Sequence, residues 1–322
     1  MNKQYLCAIL ICLLVAVSII PACKPLPENG QQKGALQGTI TVSGAWALYP
    51  LMIRWGEEFS LLHPDVRFNI SAGGAGKGMT DVLADAVDIG MVSREIYPDE
   101  IGKGAFGVPV AKDAVFLTVN ENNLVIEDIG IMGVTRETLI GIYITGEITT
   151  WGQVVGRSEI KDPIHVFTRS DAAGAPATWA AYLGKAQEDL LGIGVYGDPG
   201  VLEAVIKDPL GVGFNNLNFA FDLFTGEPVT GAFVVPIDIN ENGMVDSDEE
   251  IYSKEQALQA VSTGNYPSPP ARDLYLVTRG KPTGLTGIFI RWTLTDGQQY
   301  VGDVGYISVT KEKLEEALRA LE

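Results

Sequence analysis

The chain of 322 residues is short of cysteine, of histidine and of positive charge. Its 3 cysteines, Cys7, Cys12 and Cys23, all stand near the start, so the rest of the sequence has no thiol for a disulfide or a Cys-rich metal site. The 2 histidines, His63 and His165, lie far apart. A His-rich zinc site or a Ser-His-Asp triad therefore has little to be built from. No nucleophile with an adjacent base is visible, and catalysis is not expected. With 23 Lys and Arg against 40 Asp and Glu, the formal net charge is −17. That balance argues against nucleic acid as a partner, though it leaves room for a small anion held by local donors. There is no internal repeat and no low-complexity tract. At 46% hydrophobic residues, the chain is globular and long enough for two lobes of ordinary size.

The N-terminus carries a targeting pattern. Lys3 is followed by an apolar run over Tyr5–Pro21, and Ile20-Pro21-Ala22-Cys23 resembles a bacterial lipobox. The run is near the lower limit for a membrane span. A small residue and Cys close it and a polar segment follows, which fits a secretory signal better. Residues 1–22 are expected to be a lipoprotein signal peptide, Cys23 the lipidated residue, and 23–37 a flexible tether. The expected location is the outer, extracytoplasmic face of a cell membrane.

Past the tether, the chain is organised around Ser71–Glu95. A run of glycine and alanine opens a helix pattern with Met79, Val82 and Leu83 on one face. Val87–Val92 then reads as a buried strand that ends at Ser93 and Arg94. A helix start built from small residues exposes backbone N–H groups at the positive end of the helix dipole, which suits an anion. Arg94 adds a permanent fork of donors. It is not a nucleotide P-loop: Gly76-Lys77 is followed by Gly78, and Ser71 stands where the first glycine belongs. The other reading of the loop is a plain glycine-rich turn into a helix.

The same unit occurs before and after. Thr39–Ser43 is a strand running into Gly44-Ala45-Trp46-Ala47, a helix spans Leu51–Leu62, and Val66–Ser71 is the next strand. This alternation predicts a parallel α/β sheet, whose ligands gather at the C-terminal ends of strands. Farther on, Ile164–Thr168 is a strand ending in Arg169-Ser170-Asp171-Ala172-Ala173-Gly174-Ala175, a third strand, small or polar turn, and helix. Arg169 has two readings, an ion pair with Asp171 or a place in a pocket.

Taken together, the ordered set resembles a family. Ser43-Gly44 to Pro50, Gly73-Gly74-Ala75-Gly76, Asp88-Ile89-Gly90-Met91-x-Ser93-Arg94 and Thr168-Arg169-Ser170-Asp171-x-x-Gly174 look like the anion-binding segments of the phosphate-binding protein of the phosphate ABC transporter. Tyr266-Pro267, Arg272-x-Leu274-Tyr275 and the Asp296-Gly297-Gln298 to Gly305-Tyr306 stretch also match. The resemblance covers nearly all of the chain after residue 38. It implies the α/β, two-lobed type II periplasmic binding protein fold with the ligand cleft between lobes. Lobe 1 would comprise 38–112 and 272–322, lobe 2 113–221, and 222–271 would be an insertion. The chain would cross near Ala111–Val115 and return near Arg272–Leu276.

Carried over residue by residue, the ligand site comprises Ser43, Gly44, Ala45, Ala75, Gly76, Ser93, Arg94, Arg169, Ser170, Gly174 and Ala175. The lobes would close on an oxyanion held by backbone N–H groups at three helix starts and by two arginines. The partners implied are phosphate or a similar oxyanion and an ABC permease in the membrane, with the receptor itself a monomer. The chain departs from the family at hydroxyl positions, where it has alanine at 45, 47, 75, 173 and 175. A hydrogen bond to a charged ligand is worth roughly 1.5–3 kcal/mol, so several lost ones weaken a phosphate site unless other donors replace them.

One further motif stands apart. Asp238–Glu249 reads DINENGMVDSDE and fits an EF-hand calcium loop. Asp238, Asn240, Asn242, Asp246 and Glu249 would supply side-chain oxygens, and Met244 its carbonyl. Ala232–Pro236 before it reads as a strand, so this would be a lone, structural calcium loop; the other reading is an acidic Asx-turn loop. Three functions follow from these features: a lipid-anchored receptor that captures phosphate or a similar oxyanion for an ABC importer, a sensor or scavenger of another small anion or polar ligand, and a calcium-stabilised surface interaction protein.

Overall fold

A computed structural model describes residues 35–322. The signal segment, Cys23 and nearly all of the tether lie outside the described residues.

Among the described residues, ten strands form two five-stranded sheets. The first contains β1 (Gly38–Gly44), β2 (Val66–Ala72), β3 (Ile89–Val92), β4 (Ala105–Asp113) and β10 (Arg272–Arg279), in the order β2-β1-β3-β10-β4. The second contains β5 (Val115–Asn120), β6 (His165–Arg169), β7 (Ile193–Val195), β8 (Gly211–Asn216) and β9 (Ala232–Val235), in the order β7-β6-β8-β5-β9. The chain leaves the first sheet at Asp113 and enters the second at Val115; it returns into β10 at Arg272. These two passages are the hinge of a two-lobed fold.

The first lobe follows directly from its sequence pattern. β1 buries Ile40 and Val42, and β3 is buried along its whole length, as befits a strand with cover on both faces. Pro50 sits in the first turn of the Tyr49–Leu62 helix, where its missing N–H costs nothing, and His63-Pro64 follows its end. Its buried face, Leu51, Met52, Trp55 and Phe59, packs on the sheet. The Trp55 indole donates to the Gly297 carbonyl at 2.8 Å, and Phe59 meets Phe289 edge to face at 5.1 Å.

The sheets are mixed, whereas the alternation of elements predicted a parallel one. β1 is parallel to β2 and β3, but β10 runs antiparallel to β3 and β4. The reason is the hinge, because the chain re-enters the first lobe from the second and inserts between two strands already laid down. β5 is antiparallel to β8 and β9 in the second sheet.

The segment 222–271, expected as an insertion, is built into the second lobe. β9 covers the edge of β5, where unpaired N–H and C=O groups would otherwise be exposed. Ile251, Ala257, Val261 and Tyr266 share one buried cluster with Phe116, Leu217 and Phe221. The Tyr266 hydroxyl donates to the Val115 carbonyl at 2.7 Å and ties this segment to the hinge.

Candidate anion-binding cleft

Four strand ends meet between the lobes. From the first lobe come the turn after β1, the Gly73-Gly74 loop leading into the Ala75–Leu83 helix, and Ser93 after β3. From the second come Arg169 at the end of β6 and the turn into the Gly174–Tyr182 helix. A narrow crevice remains among them, too tight for a water molecule. It is lined by the expected Ala45, Ala75, Ser93, Arg169, Gly174 and Ala175, together with Trp46, Gly74, Asp198 and Asn216.

The lobes touch through backbone and glycine. The Gly76 N–H, in the first turn of its helix, donates across the cleft to the Ala172 carbonyl at 3.0 Å. A Cβ on Gly174 would lie 2.0 Å from the Ser93 hydroxyl oxygen. Gly74 has φ 93°, and a Cβ there would lie 2.7 Å from the Ala172 carbonyl. Only glycine serves at these two positions while the lobes are together.

Arg169 is the charged centre, with a side chain 1% exposed. Its Nε and Nη2 donate to Asp171 at 2.7 and 2.5 Å, and Nη1 donates to Asp198 at 2.7 Å. Both readings of Arg169 therefore hold at once: it is paired, and it lines the cleft. Burial opposes its charge, but Asp198 and Asp171 outweigh that and raise its pKa. Asp198 also accepts from the Asn216 N–H at 3.0 Å and from its side-chain amide at 2.6 Å. Asn216 in turn accepts from Arg272, whose Nη2 lies 3.4 Å from Asp113. A buried polar chain thus runs from the cleft to the hinge. Burial pushes the Asp113 carboxyl up to about 6 against the pull of Arg272.

The other expected residues are placed elsewhere. Arg94 turns away from the cleft and forks onto Glu100 at 2.7 and 2.9 Å, its guanidinium 4.1 Å from the centre of the Tyr97 ring. The cause is local: Glu100 accepts the Tyr97 N–H at the start of a short helix and so stands within reach. Ser43 gives its hydroxyl to Asp81 at 2.7 Å, helping fix the Ala75–Leu83 helix on the sheet. Burial would raise the Asp81 pKa, but bonds from Lys77 and Ser43 hold it below the ordinary value. The Gly44 carbonyl accepts the N–H groups of Gly73 and Gly74 at 2.9 and 3.0 Å. Ser170 is exposed, and its N–H is spent on Val195.

Three lining residues were not singled out in the sequence. Trp46 lies edge to face on Tyr196 at 6.3 Å and against Gly197; its indole N–H is buried with no acceptor. Asp198 sits in the first turn of the Gly197–Lys207 helix, and Asn216 ends β8. The signal for both was position, at a helix start and a strand end.

The calcium-type loop is folded around its own carboxylates. Asp238, 1% exposed, accepts the N–H groups of Asn242 and Gly243 at 3.2 and 2.9 Å. Glu249 accepts those of Ile239 and Asp246 at 2.7 and 3.2 Å. The side-chain amides of Asn240 and Asn242 both point to Asp246, at 2.7 and 2.8 Å. Met244 is half exposed. Among the described residues, no three His, Cys, Asp or Glu side chains are placed to hold a metal ion.

Two mixed sheets joined by a double hinge around a cleft of strand ends define the type II periplasmic binding protein fold. The chain belongs to the PBP superfamily, whose domain model matches residues 29–297. It is similar to the phosphate-binding protein PstS of Bacillus subtilis, with 27% identity over 288 residues, 89% of this chain and 85% of that protein. PstS of Pseudomonas aeruginosa is 24% identical over 334 residues, covering 95% and 94%. Among solved structures, a Clostridium perfringens protein with bound phosphate, described as a phosphate ABC transporter substrate-binding protein, superposes with a TM-score of 0.68. It is 22% identical, and the match covers 85% of this chain and all of that one (100%). An ABC-type phosphate transport receptor from Vibrio cholerae gives a TM-score of 0.61 at 20% identity, over 84% and 100%.

Proposed function

We propose that this protein is the substrate-binding component of an ABC importer for phosphate or a similar oxyanion. The observation that carries the reading is the meeting of four strand-end turns across the hinge, with two helix starts and Arg169 at one small cleft. The names of the relatives, phosphate-binding proteins matched over most of this chain, point the same way. Capture needs no reaction. The lobes open, an oxyanion enters, and closure sets around it the first-turn N–H groups of the Ala75–Leu83 and Gly174–Tyr182 helices other than that of Gly76, which joins the lobes. Desolvation in the closed cleft strengthens those bonds. Ser93 and the free indole N–H of Trp46 are the side-chain donors that stand in for the hydroxyls replaced by alanine. Calorimetric titration of phosphate-free protein tests this: micromolar binding is expected, and silence up to millimolar phosphate shifts the reading to another anion or polar ligand.

In this reading the receptor is a monomer held at the outer face of the membrane by a lipid on Cys23, where it meets the permease. Mass spectrometry of the membrane fraction is expected to find a diacylglyceryl cysteine that a Cys23→Ser variant lacks. Among the described residues no helix is long and apolar enough to cross a membrane.

A structural calcium ion in the 238–249 loop belongs to the same proposal. Its support is the sequence fit and the burial of Asp238 and Glu249 at the two ends of the loop. Binding at about 10⁻⁴–10⁻³ M is the range of extracellular modules. Calcium, and not magnesium, is expected to raise Tm and protect this loop from proteases; no change with either ion rules the site out.

A further inference from the structure

Beside the cleft lies a second and larger cavity of about 530 Å³, within the size range of small-molecule sites. It too is bounded by both lobes. Lys112 at the end of β4 and Arg272 and Tyr275 of β10 form one side, and Ala177 and Thr178 of the Gly174–Tyr182 helix form the other.

Its charge is opposite to that of the chain. Against a net −17 for the whole sequence, the cavity is lined by four cations, Arg94, Lys112, Arg272 and Lys313, and two carboxylates, Glu95 and Asp273. Two of the cations are already spent, Arg94 on Glu100 and Lys313 on Asp273. Of the other two, Lys112 is not and Arg272 is spent only in part, on Asp113 and Asn216. The Lys112 ammonium has no ion pair or hydrogen bond among the described residues. Arg272, 8% exposed, has one nitrogen directed to Asn216 and Asp113; its Nε and Nη1 are sealed from solvent with no acceptor among the described residues, so it lends the cavity its charge and not a free donor. Next to these cations the walls are apolar, with the rings of Tyr97 and Tyr275 and the side chains of Ala177 and Pro269. That is the composition of a pocket for a body with one anionic head.

We propose that this cavity is a second ligand site, for an organic oxyanion whose carboxylate or phosphate head meets Lys112 beside the positive charge of Arg272 and whose apolar body lies along Tyr97 and Tyr275. Because both lobes line it, an occupant favours the closed arrangement. Binding there and binding in the cleft are coupled, each tightening the other by the same factor.

The test uses the full chain in detergent and two probes that differ only in the head, benzylphosphonate and phenylacetate. Each is titrated calorimetrically without phosphate and with saturating inorganic phosphate; inorganic phosphate is also titrated alone, so that the cleft is judged separately. One probe molecule is expected to bind per chain, at least as tightly with phosphate present as without. Lys112→Glu is expected to weaken the probe tenfold or more while leaving the affinity for inorganic phosphate and the Tm unchanged. Ala181→Glu, a charge placed at the exposed rim, does the same more weakly. A preference for one probe tells which head the site takes. The proposal is overturned if neither probe binds at millimolar concentration, if phosphate displaces the probe, or if Lys112→Glu leaves probe affinity unchanged.

Discussion

Arg94 and Arg169 carry the same signal in the sequence, an arginine directly after a buried strand and beside a serine. The fold gives them opposite fates. Arg94 has a side chain 12% exposed and is held by Glu100, a carboxylate six residues on in the same lobe. Arg169 is sealed in the cleft and shared by Asp171 and Asp198, the second of which arrives from another helix. A strand-end arginine thus points wherever its best-placed carboxylate stands. For Arg94 that partner is local; for Arg169 it is partly tertiary, and only the tertiary partner draws the side chain into the centre of the molecule.

The sharpest way to separate the two is to truncate each. Arg169→Ala leaves Asp171 and Asp198 buried without their cation. It is expected to cost about 3–5 kcal/mol of stability, read from urea unfolding, and to abolish oxyanion binding. Gly174→Ala keeps both arginines and attacks closure alone. Its methyl group would collide with Ser93, so oxyanion affinity is expected to fall tenfold or more with little change in Tm of the free protein. X-ray scattering should then find the lobes open with and without ligand.

A third variant probes the buried polar chain at its hinge end. Asp113 holds its proton up to about pH 6 in the folded chain because burial opposes its charge. A folded-state pKa raised above the unfolded value gives stability that is full below the unfolded pKa and is lost as pH rises through 6. Asp113→Asn removes that slope. Urea midpoints for the variant and wild type should therefore converge, or cross in favour of the variant, between pH 4 and 7; parallel profiles would contradict the assignment. The smallest effect is expected for Arg94→Ala. It breaks a largely local pair for about 1 kcal/mol and leaves oxyanion affinity intact, and a loss of affinity would return Arg94 to the cleft.

The alternating strands and helices were legible because they are written in local pattern, whereas the two-lobed arrangement was implied by the resemblance of the ordered motifs to a family. The β-branched run of Thr39–Ser43 and the helical spacing of Met52, Trp55 and Phe59 each declare themselves within a few residues. Strand direction was not, since nothing near Leu274 tells that β10 returns from another lobe and runs against β3. The same holds for 222–271. Ala232–Pro236 reads as a strand locally, but only the exposed edge of β5 gives it a place. Within the cleft, small residues at strand ends were found because backbone access demands them there. Asp198 and Asn216 were missed because their role comes from Arg169 and Arg272, far away in sequence. Trp46 was passed over because an indole between alanines gives no sign that it lines a cleft.

The contact between Gly76 and Ala172 is made by main chain alone. Every residue carries that carbonyl and all but proline that N–H, yet a Cβ on Gly76 would lie 2.7 Å from the Ala172 methyl, so the latch depends on glycine where the halves meet and is indifferent only to changes farther off. Selection can therefore rewrite what the mouth holds, exchanging serine for alanine or setting a tryptophan at its edge, while the jaw keeps its bite.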